Sequence, residues 1–457
     1  MNFFSINFLL FFLVVIVILK NTKKLNQRNI VLLISSYIFY GVWDIRFLIL
    51  LFFISMTVYV SGLNVKNKVF LYTGVLIPLV SLGVFKYFNF FSQSFSNLFG
   101  ISDFVTLNVV LPLGISFYVF LAISYILDVY HNKIPCERNF VNVLLYISFF
   151  PTIVSGPITK ARVLLPQIQV FYPIKINAIY TGVQFFMIGC IKKFVLADNM
   201  GVLVDEVYSA PLAFDSLTVW LAVISYSIQL YLDFSGYSDM AIGCAKCLGF
   251  NLTENFNMPY LAKNISEFWK RWHISLSSWL QEYLYFSLGG SHCSKIKTYR
   301  NLLVTMLVCG LWHGAAWNFI LWGGIHGIIL LGHKCYQESV SARINMPSVV
   351  KVLLTFLAVT ICWIFFRASD VTNITQILYR MFIFDMNYLN HMYIWSVVGI
   401  IWMISISIYV VYKLDWNGVR PVYDITSGKG FFVFCLELYF ILGLFYTGNN
   451  PFVYAAF

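Results

Sequence analysis

Three histidines stand inside apolar or aromatic sequence, and imidazole is the side chain that takes and returns a proton near neutral pH. His273 lies in E-F-W-K-R-W-H-I-S-L-S-S-W-L, and His313 and His326 in G-L-W-H-G-A-A-W-N-F-I-L-W-G-G-I-H-G. An ionisable group within a membrane-spanning run is costly, and ordinarily faces a cavity where it acts. His313, mid-run between Trp312 and Gly314, therefore reads as a base that draws a proton from a hydroxyl. His273 admits two readings: a structural imidazole bonded to a backbone carbonyl of an interfacial helix, or a member of the same site. His326 lies about 220° from His313 round an unbroken helix, among Gly323, Gly324 and Gly327. It reads as close helix packing, apart from the site of His313. His131, His292, His333 and His391 fall in polar connections and read as surface.

Asp233 and Asp239, in Y-L-D-F-S-G-Y-S-D-M, end an apolar run. They either position a histidine or a substrate hydroxyl, or satisfy helix ends together with Ser235 and Ser238. No H-E-x-x-H and no cluster of His with carboxylates at ligand spacing is present, so no metal is expected. The serine elbow G-x-S-x-G is absent too. Cys244 and Cys247 form a lone C-A-K-C pair, while Cys190, Cys309, Cys362 and Cys435 sit in apolar runs, which is packing usage.

Something must hold these groups at membrane depth. The chain is 60% hydrophobic and 11% charged, against about 25% charged residues in a soluble domain. Its apolar runs reach the roughly 20 residues that a spanning helix needs, and none alternates as barrel strands do. This predicts an all-α polytopic membrane protein with about 11 spans plus re-entrant or interfacial helices. A single integral membrane domain over residues 1–457 is expected, since no linker and no internal repeat divides it. The net charge of +11 reads as topology, with Lys and Arg in cytoplasmic loops, and not as nucleic-acid binding. A few of these cations would suit the phosphates of an anionic donor. Phe3–Leu19 lacks signal-peptide features, and Lys20, Lys23, Lys24 and Arg28 predict that the first helix ends inside the cell. Pro112 and Gly114 predict a break, and Pro151, Gly156 and Pro157 put irregular backbone at membrane depth, where it must be buried or line a wet cavity. Residues 251–300 are the longest polar stretch, and Trp269, His273, Leu276 and Leu280 share one face of a continuous interfacial helix there.

The blocks Y-L-D-F-S-G-Y-S-D-M-A-I-G, E-N-F-N-M-P-Y, E-F-W-K-R-W-H-I-S-L-S-S-W-L and G-L-W-H-G-A-A-W-N-F-I-L-W-G-G-I-H-G resemble the membrane-bound O-acyltransferase family. Within it they are similar to the bacterial branch of alginate O-acetyltransferase membrane subunits, over residues 149–330. The resemblance implies a ring of helices round a tunnel in which a cytoplasmic acyl donor meets an acceptor from the other side. It implies His313 as the essential histidine and His273 as the second polar position. Asp233, Asn255, Trp269, Lys270, Arg271, Trp312 and Asn318 are the candidates for holding substrates. The wording of the Asp233–Gly243 block departs from the teichoic-acid d-alanylation branch and favours acetyl-CoA as donor, a substrate and not a bound cofactor.

The expected function is O-acetylation of an exported polysaccharide or cell-wall polymer such as alginate or peptidoglycan. The expected setting is the bilayer of a bacterial inner membrane, with no nucleic acid involved. An extracytoplasmic SGNH-hydrolase-like transferase is the expected partner, as in other members of the branch. A transporter or flippase with a histidine proton relay is the rival from another class, and a scaffold of an export complex is a third reading. The tail 451–457, P-F-V-Y-A-A-F, resembles the Phe-x-Tyr terminus of a small partner in the d-alanylation system. By that resemblance Tyr454 is a candidate acyl carrier, fused here to the enzyme; otherwise the tail reads as an aromatic anchor.

Overall fold

The computed structural model describes residues 3, 5–100, 105–339, 346–383, 423–424 and 427–444, and among these there is no strand. Tyr454 and His391 lie outside the described residues. The helices are α1 (Ile6–Asn21), α2 (Leu25–Gly41), α3 (Arg46–Leu63), α4 (Lys68–Leu82), α5 (Phe88–Phe99), α6 (Ile115–Tyr130), α7 (Phe140–Ser148), α8 (Ala161–Gln169) and α9 (Ile176–Cys190). They continue as α10 (Asp198–Ser209), α11 (Ser216–Cys247), α12 (Ile265–Arg271), α13 (Ile274–Leu280), α14 (Lys295–His313), α15 (Trp317–Glu338), α16 (Ser348–Arg367), α17 (Val371–Phe382) and α18 (Gly428–Leu444). Four stretches among the described residues are long and apolar enough to cross a membrane: Arg46–Leu63, Lys68–Phe99, Ser216–Cys247 and Ser348–Arg367. The apolar helices α1 and α6 are shorter.

Two compact units result, Met1–Phe186 with Ser238–Glu254, and Met187–Tyr237 with Asn255–Phe457. In the first unit the expected breaks are present. Gly114, at φ +71°, precedes α6. The segment 149–160 between α7 and α8 is irregular and buried throughout, as its prolines and Gly156 require. Arg28 departs from its expected place among the loop cations. It is buried, and its guanidinium donates to the carbonyls of Gln167, Ile168 and Val170 at 3.2, 2.7 and 2.7 Å. The last carbonyls of a helix have no partner within it, and a cation there completes α8.

The second unit carries His273, His313 and His326. The long apolar run at 302–332 is a hairpin, not one span: α14 and α15 run antiparallel, joined by residues 314–316. Glycine makes this possible. A Cβ on Gly310 would run into the Phe319 carbonyl, and one on Gly323 into the Met306 carbonyl, so the two backbones touch as small residues allow. A Cβ on Gly314 would strike the Phe319 ring. The α16 helix packs on α15 and is tied to α11 through Ser227 and Thr360 hydroxyls 3.0 Å apart. His333 lies on α15, not in a connection as expected, whereas His131 and His292 are exposed ends and turns.

Candidate active site

The expected continuous helix through His273 is broken. The α12 helix stops at Arg271, α13 begins at Ile274, and His273 between them takes a left-handed backbone at φ +42°. That conformation costs a residue with a Cβ of order 1–3 kcal/mol. Asn255 supplies the compensation. Its carbonyl accepts from the Ile274 N–H at 2.8 Å, and its Oδ1 accepts from the Ser275 hydroxyl at 2.8 Å and the Ser275 N–H at 3.3 Å. The Asn257 N–H donates to the Arg271 carbonyl at 3.0 Å. The stretch 255–257 thus takes over the bonds an unbroken helix would have made. His273 is fully buried.

Asn255 also fixes the chemistry of the ring. His273 Nδ1 lies 3.0 Å from Asn255 Oδ1. Because that oxygen already accepts from the Ser275 N–H, it is the carbonyl end of the amide, and Nδ1 must carry the hydrogen. A neutral His273 therefore presents a lone pair at Nε2. The Phe234 ring stands edge-on to the imidazole at 4.6 Å and Phe256 stacks at 6.5 Å, holding its plane.

His313 is the last residue of α14 and is 3% exposed. Its ring meets Trp312 at 5.0 Å, Trp322 at 5.0 Å and Phe366 at 5.2 Å, each near perpendicular. Trp312 also stands 6.0 Å from His273, so one indole links the two histidines. Trp322 in turn touches His326 at 4.9 Å. The rings follow in the order His273, Trp312, His313, Trp322, His326. The hairpin turn brings His326 back toward His313, against the expectation from an unbroken helix.

The other candidates separate into those near this line and those committed elsewhere. Trp269 is buried against His326 at 5.2 Å. Arg271 pairs with Glu267 at 2.8 Å and donates to the Asn257 carbonyl at 3.2 Å, so its charge is already used within α12. Lys270 is exposed and borders a cavity of about 230 Å³ whose walls include Trp269, Thr305, Met306, Cys309 and Leu330. Cys309 lies one helical turn before His313. Asn318 donates to the Ala368 carbonyl at 3.0 Å and serves the fold.

Asp233 is part of a buried ion cluster that the sequence reading missed. Lys193 Nζ lies 2.8 Å from Asp198 Oδ1 and 2.5 Å from Asp233 Oδ1, with all three side chains at most 8% exposed. A wider helical turn over Ile191–Ala197 turns Lys193 inward, and Gly236 of α11 lets that turn approach. The signal was available: I-K-K closing an apolar run, with an acid five residues on.

A helical membrane protein with a pair of buried imidazoles linked by one indole is suited to drawing a proton from a hydroxyl away from water. The chain belongs to the membrane-bound O-acyltransferase family, whose family model matches residues 32–369, and it is an O-acyltransferase. It is similar to the probable alginate O-acetylase AlgI of Pseudomonas aeruginosa, 40% identical over 84% of this chain and 74% of that protein. The peptidoglycan O-acetyltransferase of Helicobacter pylori is 36% identical over 77% of this chain and 73% of that protein. The teichoic acid D-alanyltransferase of Bacillus subtilis is 28% identical over 54% of this chain and 67% of that protein.

Proposed function

We propose that this enzyme moves acetyl from cytoplasmic acetyl-CoA to hydroxyls of an exported polysaccharide or cell-wall polymer. The reading rests above all on His313, buried at the end of α14 and joined to His273 through Trp312. The similarity to proteins named for alginate and peptidoglycan acetylation supports the acceptor class. Lower similarity to a d-alanyltransferase makes that transfer the lesser reading.

In the proposed step His313 takes the proton of the acceptor hydroxyl as its oxygen bonds to the thioester carbonyl carbon. The tetrahedral intermediate then collapses, the C–S bond breaks, and the thiolate leaves with the proton that His313 carries. His273, with its Nε2 lone pair, orients a hydroxyl or N–H in the neutral state. It donates to the oxyanion only after gaining a second proton, and such donors contribute about 2.7–4 kcal/mol. Lys270, at the rim of the cavity, steers the donor's phosphates.

About 11 spans around a tunnel, an inner-membrane location and an extracytoplasmic SGNH-hydrolase-like partner complete the proposal, by analogy with the branch. Tyr454 as a transient acyl carrier is a separable limb of it. The test is thioester turnover by purified protein in vesicles. Acetyl-CoA cleavage that disappears in His313→Ala supports the reading. Uphill solute flux without acyl turnover sinks it.

A further inference from the structure

His326 has no evident packing reason to be a histidine. It is fully buried, and neither ring nitrogen has a hydrogen-bond partner among the described residues. Phenylalanine would fill the same space without the cost of about 1–3 kcal/mol for each polar group left unsatisfied. Its neighbours share the property. Trp269 and Trp322 stand 5.2 and 4.9 Å from His326 and 5.8 Å from one another, a closed triangle of rings. The Nε1–H groups of both are buried and likewise lack a partner among the described residues. Buried polar groups without partners are rare in native proteins, and four such atoms in one triangle mark a place built for a polar occupant.

The inventory says what kind. A neutral imidazole offers one N–H and one lone pair, and each indole offers one N–H. Three donors and one acceptor in an aromatic, water-excluding surround suit an uncharged group that is rich in acceptor capacity and carries one donor. A secondary amide meets three of these four: its carbonyl accepts from two donors and its N–H gives to the lone pair, with one imidazole N–H left over. Trp269 is also a wall of the cavity that Lys270 and Cys309 line, so one corner of the triangle reaches that cavity. We propose that His326, Trp269 and Trp322 form a subsite for a secondary amide of the acyl donor. There the imidazole lone pair takes the amide N–H, and the indoles hold the carbonyl. This rests on the thioester-donor reading above, since the arm of acetyl-CoA carries two such amides.

The test compares two small donors in vesicle-reconstituted protein, read as thiol release. One is S-acetyl-N-acetylcysteamine; the other is its ester isostere, in which oxygen replaces the amide N–H. Wild type should prefer the amide in kcat/KM by on the order of ten- to a hundredfold, the factor expected of one desolvated hydrogen bond. In His326→Phe that ratio should fall toward one, with the unfolding temperature unchanged or raised. Should His326→Phe fail to fold, Trp269→Phe reports on the carbonyl instead: both donors should weaken together, at an unchanged ratio. Equal use of amide and ester by wild type overturns the subsite, and is the outcome if the triangle merely traps water. Cleavage of acetyl-CoA but of neither probe overturns it as well, as does Trp269→Phe with both donors unaffected. If the protein acetylates polymer in cells yet cleaves no thioester, acetyl-CoA included, the donor reading itself is wrong and the subsite falls with it.

Discussion

The two candidate catalytic histidines sit on different backbones. His273 sits on a broken helix in a strained backbone, and Asn255 and Ser275 hold it by hydrogen bonds. His313 ends a regular helix, and the walls described around it are rings: Trp312, Trp322 and Phe366. At His273 the hydrogen bond to Asn255 fixes the tautomer, and at His313 the three rings fix the plane of the imidazole. The first arrangement suits a group whose task is to present one nitrogen in one state. The second suits a group that gains and loses a proton in each cycle and must be comfortable in both forms, since an imidazolium is stabilised against an indole by about 0.5–2 kcal/mol.

The sharpest way to break this comparison is to remove each ring in turn. His313→Ala should lower acyl transfer by about 10²–10⁴-fold, the range that general-base catalysis supplies, while the protein still inserts and folds. Equal losses in His313→Ala and His326→Ala, measured as acetyl-CoA turnover on folded protein, would show that the base has been misassigned.

Asn255→Leu should act through His273. Losing three side-chain bonds while the left-handed turn persists should cost about 2–4 kcal/mol of stability, and turnover should fall about tenfold or more. Ser275→Ala removes one of those bonds and should cost about 1 kcal/mol. If Asn255→Leu melts normally and works normally, His273 is not held as described.

The proton count gives a smaller but cleaner signal. A base must be neutral to act, so activity is present above the pKa of the site and lost as pH falls through it, near about 6.5 for an ordinary imidazole. A profile that is flat from pH 5 to 8 would exclude a histidine base. Least of all should change in Asn318→Ala, which loses one buried bond worth about 1 kcal/mol of stability and leaves catalytic parameters alone. A shift in KM there would return Asn318 to the substrate site.

Much of this was legible in the sequence, and the gaps have physical causes. Block wording carried the family, and Gly323, Gly324 and Gly327 carried close helix packing without naming the helix they meet. Pro112, Gly114 and the prolines near 151–157 announced the irregular backbone. The break at His273 was hidden because apolar periodicity continues across it. Only the distant Asn255, eighteen residues earlier, makes the left-handed turn favourable. The hairpin at 314–316 was hidden because Gly-Ala-Ala carries no polar punctuation, and with it went the approach of His326. Asp233 was recognised as costly but given to substrate, since its partner Lys193 lies forty residues away.

That ion cluster also bears on how the chain enters the bilayer. A single Lys or Asp at the centre of an isolated helix raises the cost of insertion by about 2.5–3.5 kcal/mol. Lys193 and Asp233 belong to separate hydrophobic segments; Lys193 has Asp198 within its own, whereas Asp233 meets this cation only when both segments are in place. The segment at 176–209 therefore carries a partner for its own lysine, and the acid of α11 is the charge that depends on a neighbouring segment. Lys193→Met, which removes the cation shared by two buried carboxylates, should appear first as a loss of protein during biogenesis and only afterwards as a loss of rate.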